Sequence, residues 1–338
     1  MEKAKTKTID YRLNVLRVIS MIMVIIIHVA NYYCRAFNDI NFVSYSFAVV
    51  LNTISRISVP IFFMISGSLL LSSSFSYKKN KKRTIRKIIE LIVITIIYLV
   101  SDYFLRGNVS DNLLELFFRP DRTMLWFMYA IIVIYIALPF LKILVDGMTE
   151  KDEKIFIVLW LIFCGISNFS GLFIGAKVSY PIPILGTFYV GYFIVGYIIY
   201  KHIDLIDFKK YRYYFLGIII LCFVVNIVIT LIYSSIEQKF YDNFLTYKSI
   251  LCIIASVLTF IYIYCILENK PNKIIEFMAR DSFEIYLVHG IILDLVMLNT
   301  PFKNIFSIVG IPIFTVVIYI FSEAVVYLYK FIFKLFKK

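Results

Sequence analysis

The chain has 338 residues, of which 61% are hydrophobic and 17% charged, and its mean hydropathy is +0.85. No soluble domain of this size has a core that could hide so much apolar surface, so the composition excludes one and points to an integral membrane protein. The 35 Lys and Arg against 22 Asp and Glu leave a net charge of +13, but the cations cluster beside long apolar runs, which argues for a membrane face and against nucleic acid.

In chain order, Lys3, Lys5 and Lys7 precede an apolar run that continues to about Cys34 without an A-x-A cleavage site, so it reads as a retained first span rather than a signal peptide. A hydrocarbon core of about 30 Å needs roughly 20 apolar residues per helix. Ten stretches qualify, near 12–34, 46–71, 85–105, 123–144, 154–172, 184–201, 211–234, 247–267, 281–298 and 305–329. The connections are short and contain neither a soluble insertion nor a Ser- or Pro-rich linker. The expected fold is therefore all-α: an integral membrane bundle of about ten transmembrane helices, one domain over 1–338, with short basic termini at 1–11 and 330–338.

Of the 35 Lys and Arg, 25 fall on the side of the N-terminus and 8 on the opposite side, while Arg17 and Arg56 lie inside spans. The positive-inside rule then places both termini in the cytoplasm. The densest run, Lys78, Lys79, Lys81, Lys82, Arg83, Arg86 and Lys87, reads as a topology anchor on anionic lipid or as an attractor for a polyanionic cytosolic ligand. No pair of Gly- or Pro-broken helices at matching places marks an inverted repeat. The five cysteines form no C-x-x-C pair and no metal-ligand spacing, so they read as small core residues and no metal is expected.

An ionisable residue inside a span is expensive and marks a functional hypothesis. Arg17 and His28 stand eleven residues apart, roughly 20° beyond three full turns and roughly 16 Å along the axis, so both project from one face. Ser20 and Asn31 extend that polar stripe, which must meet protein or water. The plainer alternatives are snorkelling for Arg17 and an interhelical hydrogen bond for His28. Arg56 lies near mid-bilayer and shares a face with Pro60, Phe63 and Gly67, a face expected to line a cavity unless Arg56 is paired with an intramembrane carboxylate. Trp126, Phe127 and Tyr129 fit an interfacial belt at a helix start. His289 lies within the ninth span, Asp294 and Glu323 are carboxylates that can orient a histidine or neutralise an arginine, and His202 reads as a solvated loop residue.

The segment R-V-I-S-M-I-M-V-I-I-I-H, Arg17 to His28, resembles the Arg-ten-residues-His motif of the acyltransferase-3 family of integral-membrane O-acyltransferases. S-R-I-S-V-P-I-F-F-M-I-S-G is similar to that family's second-helix signature, L-W-F-M-Y at 125–129 to its fourth, Y-V-G-Y-F-I-V-G-Y at 189–197 to its sixth, and S-F-E-I-Y-L-V-H at 282–289 to its ninth. The ordered set covers nearly the whole chain. It departs from the pattern at Met124, where many relatives have histidine, and at Gly290, where many have proline. The chain stops a few residues past the tenth span, so no appended extracytoplasmic domain is expected.

The resemblance implies transfer of an acyl group, commonly acetyl from acetyl-CoA, to a hydroxyl of a cell-surface or lipid-linked carbohydrate, in a multi-pass protein of the cytoplasmic membrane. Attack by an alcohol at neutral pH needs a base, for which neutral imidazole is suited, so His28 is the expected base or, alternatively, an acyl-carrying nucleophile. Arg17 is expected at the donor's phosphates or carbonyl and Arg56 at the developing oxyanion or the acceptor, with those two roles exchangeable. His289, Trp126 and Asn31 are expected to contact substrate. The expected partners are membrane lipid and a glycan acceptor, with oligomeric state left open. A transporter or flippase for a lipid-linked sugar, using Arg17 and Arg56 as anion sites, is the competing reading.

Overall fold

The computed structural model describes residues 10–107, 123–169 and 188–335. Among them are eleven α-helices and no strand: α1 (Tyr11–Arg35), α2 (Phe42–Ser55), α3 (Ser58–Leu71), α4 (Tyr77–Arg106), α5 (Trp126–Gly147), α6 (Glu150–Phe169), α7 (Phe188–His202), α8 (Phe208–Glu237), α9 (Ile250–Ile266), α10 (Lys273–Asn299) and α11 (Ser307–Leu335). Every predicted span falls on one helix except the second, which is α2 and α3 together. The end of the fifth span, the start of the sixth and both terminal basic segments run beyond the described residues. Among the described residues six segments are long and apolar enough to cross a membrane: α1, α2 with α3, α4, α5, α8 and α11. Helix α9 is equally apolar but shorter.

The break in the second span follows from Pro60. A proline has no N–H to give the carbonyl four residues back, and its ring collides with that carbonyl. The residue four back is Arg56, and the chain leaves the helix there, at Arg56 and Ile57, before Ile61 N–H rejoins the ladder at the Ile57 carbonyl. Arg56 therefore caps the C-terminus of α2 instead of lying along one continuous helix.

Helix α1 is central, packing against α2, α3, α9, α10 and α11. Its start is fixed by Asp10, whose side chain caps the helix at Arg12 N–H. Helices α3 and α7 approach each other closely enough for their backbones to touch. A Cβ on Gly67 would lie 1.7 Å from the Phe193 carbonyl oxygen, and one on Gly196 would lie 2.3 Å from the Met64 Cα. Ser68 Oγ donates to the Gly196 carbonyl at 2.9 Å across the same seam. Small residues that let backbones meet are how helices associate where the surroundings are as apolar as the side chains. The face carrying Pro60, Phe63 and Gly67 is accordingly a packing surface and lines no cavity at Gly67, which corrects the expectation for that stripe.

The outward faces of α4, α8 and α11 expose Ile92, Ile96, Val224, Val228, Ile313 and Val316. Apolar side chains at such density without protein cover are what a lipid-facing surface requires.

Candidate active site

Two features of α1 organise the interior, one at each end of the Arg17 to His28 stretch. At the Arg17 level a cavity of about 260 Å³ opens between α1, α3, α5 and α10, with Arg17, Lys87, Tyr135, Arg280, Phe127 and Tyr286 in its wall. A wider vestibule of about 490 Å³ shares Arg17 and Arg280 with it and adds Lys273. Arg17 donates to Asn14 Oδ1 at 3.2 Å and meets no carboxylate among the described residues. Lys87 lies 3.3 Å above the Phe283 ring while it also bonds Glu90 at 2.7 Å. Arg280 is bound to Asp281 at 2.7 Å and Glu276 also lines the vestibule, so Arg17 is a cation of the mouth that no described carboxylate pairs, and the walls turn aromatic and aliphatic further in.

The deep wall includes Val24, one turn before His28 on α1, and Tyr286, one turn before His289 on α10. The two histidine rings face each other there with centroids 5.3 Å apart and planes inclined by 39°. His289 is fully buried and His28 half-buried. His289 Nδ1 lies 2.6 Å from the Tyr286 carbonyl oxygen, which can only accept, so that nitrogen carries the ring hydrogen. Tyr286 is common to the cavity and the pair, its ring 5.7 Å from that of His289 and 5.4 Å from that of Phe127. Its hydroxyl is held by the Met124 carbonyl.

Arg56 approaches the same place from α2. Its Nε donates to Asn52 Oδ1 at 3.0 Å, and Asn52 Nδ2 donates to the Ile27 carbonyl at 3.3 Å, beside His28. The guanidinium carbon also stands 5.9 Å from the Tyr247 ring centre. No described carboxylate pairs with Arg56, so the structural ion pair is not formed. The void beside it, between Thr53, Cys222 and Asn226, is only about 10 Å³. The two intramembrane arginines therefore occupy different sites, Arg17 beside an open cavity and Arg56 beside a void of about 10 Å³, with His28 on the helix that carries Arg17.

Trp126, expected in an interfacial belt, sits in a cluster of aromatic rings. It stacks on Tyr189 at 4.8 Å and meets Tyr247 at 5.7 Å, and Phe63 stacks on the same Tyr189 at 4.9 Å. Asn31 is half-buried on α1, one turn beyond His28. Asp294 is 2% exposed and accepts from the Tyr32 hydroxyl at 2.9 Å, whereas Glu323 lies toward Arg280, Asp281 and Lys330 near the cavity mouth. Neither carboxylate bonds a ring nitrogen of His28 or His289. His202 is not free in solvent: its Nε2 lies 2.7 Å from Glu153, which is 2% exposed and also holds Lys201 at 2.8 Å.

Sequence reasoning passed over Arg280 and Tyr286, and it read Lys87 only as one of a basic run whose other members are exposed. Arg280 stands just before the expected ninth span. Tyr286 carried a readable signal, since it precedes His289 by three residues and so shares its helix face. The two departures from the family pattern also explain each other. A Cβ on residue 290 would stand 2.4 Å from Met124 Sδ and 2.3 Å from the Tyr98 hydroxyl, so the methionine at 124 occupies space that glycine at 290 leaves.

An all-helical bundle with apolar outer faces, an interior cavity at Arg17 and a histidine pair one turn beyond its inner wall has the build of a multi-pass membrane protein with a polar interior site. The family model described as an acyltransferase domain, that of the acyltransferase-3 family, matches residues 10–328, and the chain belongs to that family. No curated protein and no solved structure matches the chain.

Proposed function

We propose that the protein is a membrane-bound O-acyltransferase that moves acetyl from acetyl-CoA to a hydroxyl of a cell-surface or lipid-linked carbohydrate, in the cytoplasmic membrane with both termini inside the cell. The observation that carries this reading is the order along α1 and α10 of a mouth at Arg17, an aromatic cavity wall ending at Val24 and Tyr286, and, one turn beyond each, the facing histidines His28 and His289. Arg17 at the mouth, which no described carboxylate pairs, suits the phosphates of a coenzyme A ester, with Lys87 beside it adding charge already shared with Glu90. The slim thioester arm then reaches inward past Phe127 and Tyr286 toward His28. Trp126 and its aromatic neighbours offer flat surfaces for sugar rings, with Asn31 as a hydrogen-bonding group on the far side of His28.

In this reading His28 takes the proton of the attacking hydroxyl as the new C–O bond forms, and returns it to the thiolate released when the C–S bond breaks. Arg56 is a fixed positive charge beside that centre. It is half-buried and held in place by Asn52, and a charge fixed in advance in this way can stabilise a developing oxyanion. The test is incubation of the purified protein in lipid with labelled acetyl-CoA and a cell-surface glycan fraction. Wild type is expected to form ester, and His28→Ala to fall by at least ~10²-fold, the effect of losing a general base. Undiminished ester formation by His28→Ala removes that residue from the mechanism, and no ester from any acyl-CoA removes the reading.

A further inference from the structure

A base in an active site is usually oriented by a third group that bonds its other ring nitrogen. The intramembrane carboxylates do not fill that place here, because Asp294 holds Tyr32 and Glu323 lies toward the cavity mouth. What faces His28 is His289, at 5.3 Å between ring centres. With its Nδ1 hydrogen committed to the Tyr286 carbonyl at 2.6 Å, a neutral His289 presents a bare lone pair at Nε2. That atom is buried in a residue of 0% exposure and has no hydrogen-bond partner among the described residues. Buried acceptors are nearly always satisfied, so an orphan on a ring this close to His28 calls for a partner that arrives during function.

We propose that His289 is a positioning residue for His28, its Nε2 accepting the N–H of one His28 ring nitrogen and so keeping the other nitrogen bare for the acceptor hydroxyl. A small turn of the His28 ring closes the pair. No proton is transferred to His289. The hydroxyl O–H breaks, a second His28 N–H forms, the acyl C–O bond forms as C–S breaks, and the proton returns from His28 to the thiolate. The resulting imidazolium keeps its hydrogen bond to Nε2 throughout. His289 thus does by a backbone-pinned neutral imidazole what a buried carboxylate does in other base-containing sites, and it fixes the base instead of binding the acceptor. The inference rests on the acyl-transfer reading and names the group that completes it.

Two amide variants separate this role from a merely structural one. His289→Gln places an accepting oxygen near the position of Nε2, whereas His289→Asn keeps a donor near Nδ1 for the Tyr286 carbonyl and loses the acceptor. Gln is expected to retain kcat within about tenfold, and Asn to lose about 10²-fold in kcat with the donor KM within about threefold. Asn equal to or better than Gln overturns the proposal, because the bond to Tyr286 would then be the only one that matters. The chain has 3 histidines, so ¹⁵N-histidine labelling in lipid gives three ring systems, assignable by removing each in turn. His289 is expected as the Nδ1–H tautomer, and the His28 signals are expected to move in His289→Asn but not in His202→Gln. Unmoved His28 signals overturn the pairing whatever the enzyme does, while absence of ester formation by wild type overturns the acyl-transfer reading and leaves the spectra to decide the pairing.

Discussion

Arg17 and Arg56 look alike in the sequence, each a lone guanidinium within an apolar span, and the structure makes them opposites. Arg17 opens on a cavity of about 260 Å³ with Lys87 and Arg280 beside it, whereas the void at Arg56 is about 10 Å³, room for about one water. Arg17 has one side-chain hydrogen bond, to a neighbour on its own helix, and leaves most of its donors for an incoming anion. Arg56 is clamped by Asn52, which is itself tied to the backbone of α1. A buried charge with room around it is suited to bind, and one without room is suited to act on a neighbour. The neighbour of Arg56 is His28.

The comparison predicts a split in kinetics. Arg56→Gln keeps a polar side chain near Asn52 but removes the charge, and its kcat is expected to fall about 10²-fold, the usual scale for losing one oxyanion-stabilising donor. Its donor KM should stay within about threefold of wild type. Arg17→Gln is expected to do the reverse, raising the KM for acetyl-CoA about tenfold, which corresponds to about 1.4 kcal/mol, with a smaller change in kcat. Steady-state rates at varied donor concentration measure both, and equal patterns in the two variants would break the distinction. Lys87→Gln is the weaker case. Its charge is already shared with Glu90, so a rise of about two- to threefold in donor KM is expected, fading as salt is raised.

How much of this was legible in the sequence depended on what carried the signal. The helices were readable because apolar length alone decides a span, and the family motif marked Arg17 and His28 on one face. The break at Arg56 was encoded by Pro60, but its consequence needs the identity of the carbonyl four residues back. The stripe of Phe63 and Gly67 misled because a small residue beside a charge looks the same whether it faces water or, as here, the backbone of α7. The pairing of His28 with His289 joins residues 261 positions apart, and no spacing rule along one helix reveals it. His202 was misread for a similar reason, since Glu153, its partner, comes from another helix.

Arg12 supplies the internal control for the Arg17 and Arg56 comparison. It lies on the same helix five residues before Arg17, but its guanidinium is bonded to Asp10 at 3.0 Å and to the Tyr264 hydroxyl at 2.5 Å. A paired arginine of this kind should contribute to the anchoring of α1 and nothing to donor binding. Burial pushes the Asp10 carboxyl up, but hydrogen bonds from Arg12 and Tyr264 outweigh it and hold the group below its ordinary value of 3.8. A carboxyl held lower in the folded than in the unfolded chain adds stability above the unfolded value and loses it as pH falls through the folded one. Asp10→Ala removes the helix cap, worth ~1 kcal/mol, together with the ion pair, and a drop of about 2 °C in thermal unfolding in lipid is expected at pH 7. Asp10→Asn keeps the cap and loses the charge, so its deficit should be smaller and should shrink further below about pH 4. Neither variant should alter the KM for acetyl-CoA. A rise in KM in Asp10→Asn matching that of Arg17→Gln would place Arg12 at the donor mouth and end the division between anchoring and binding arginines on α1.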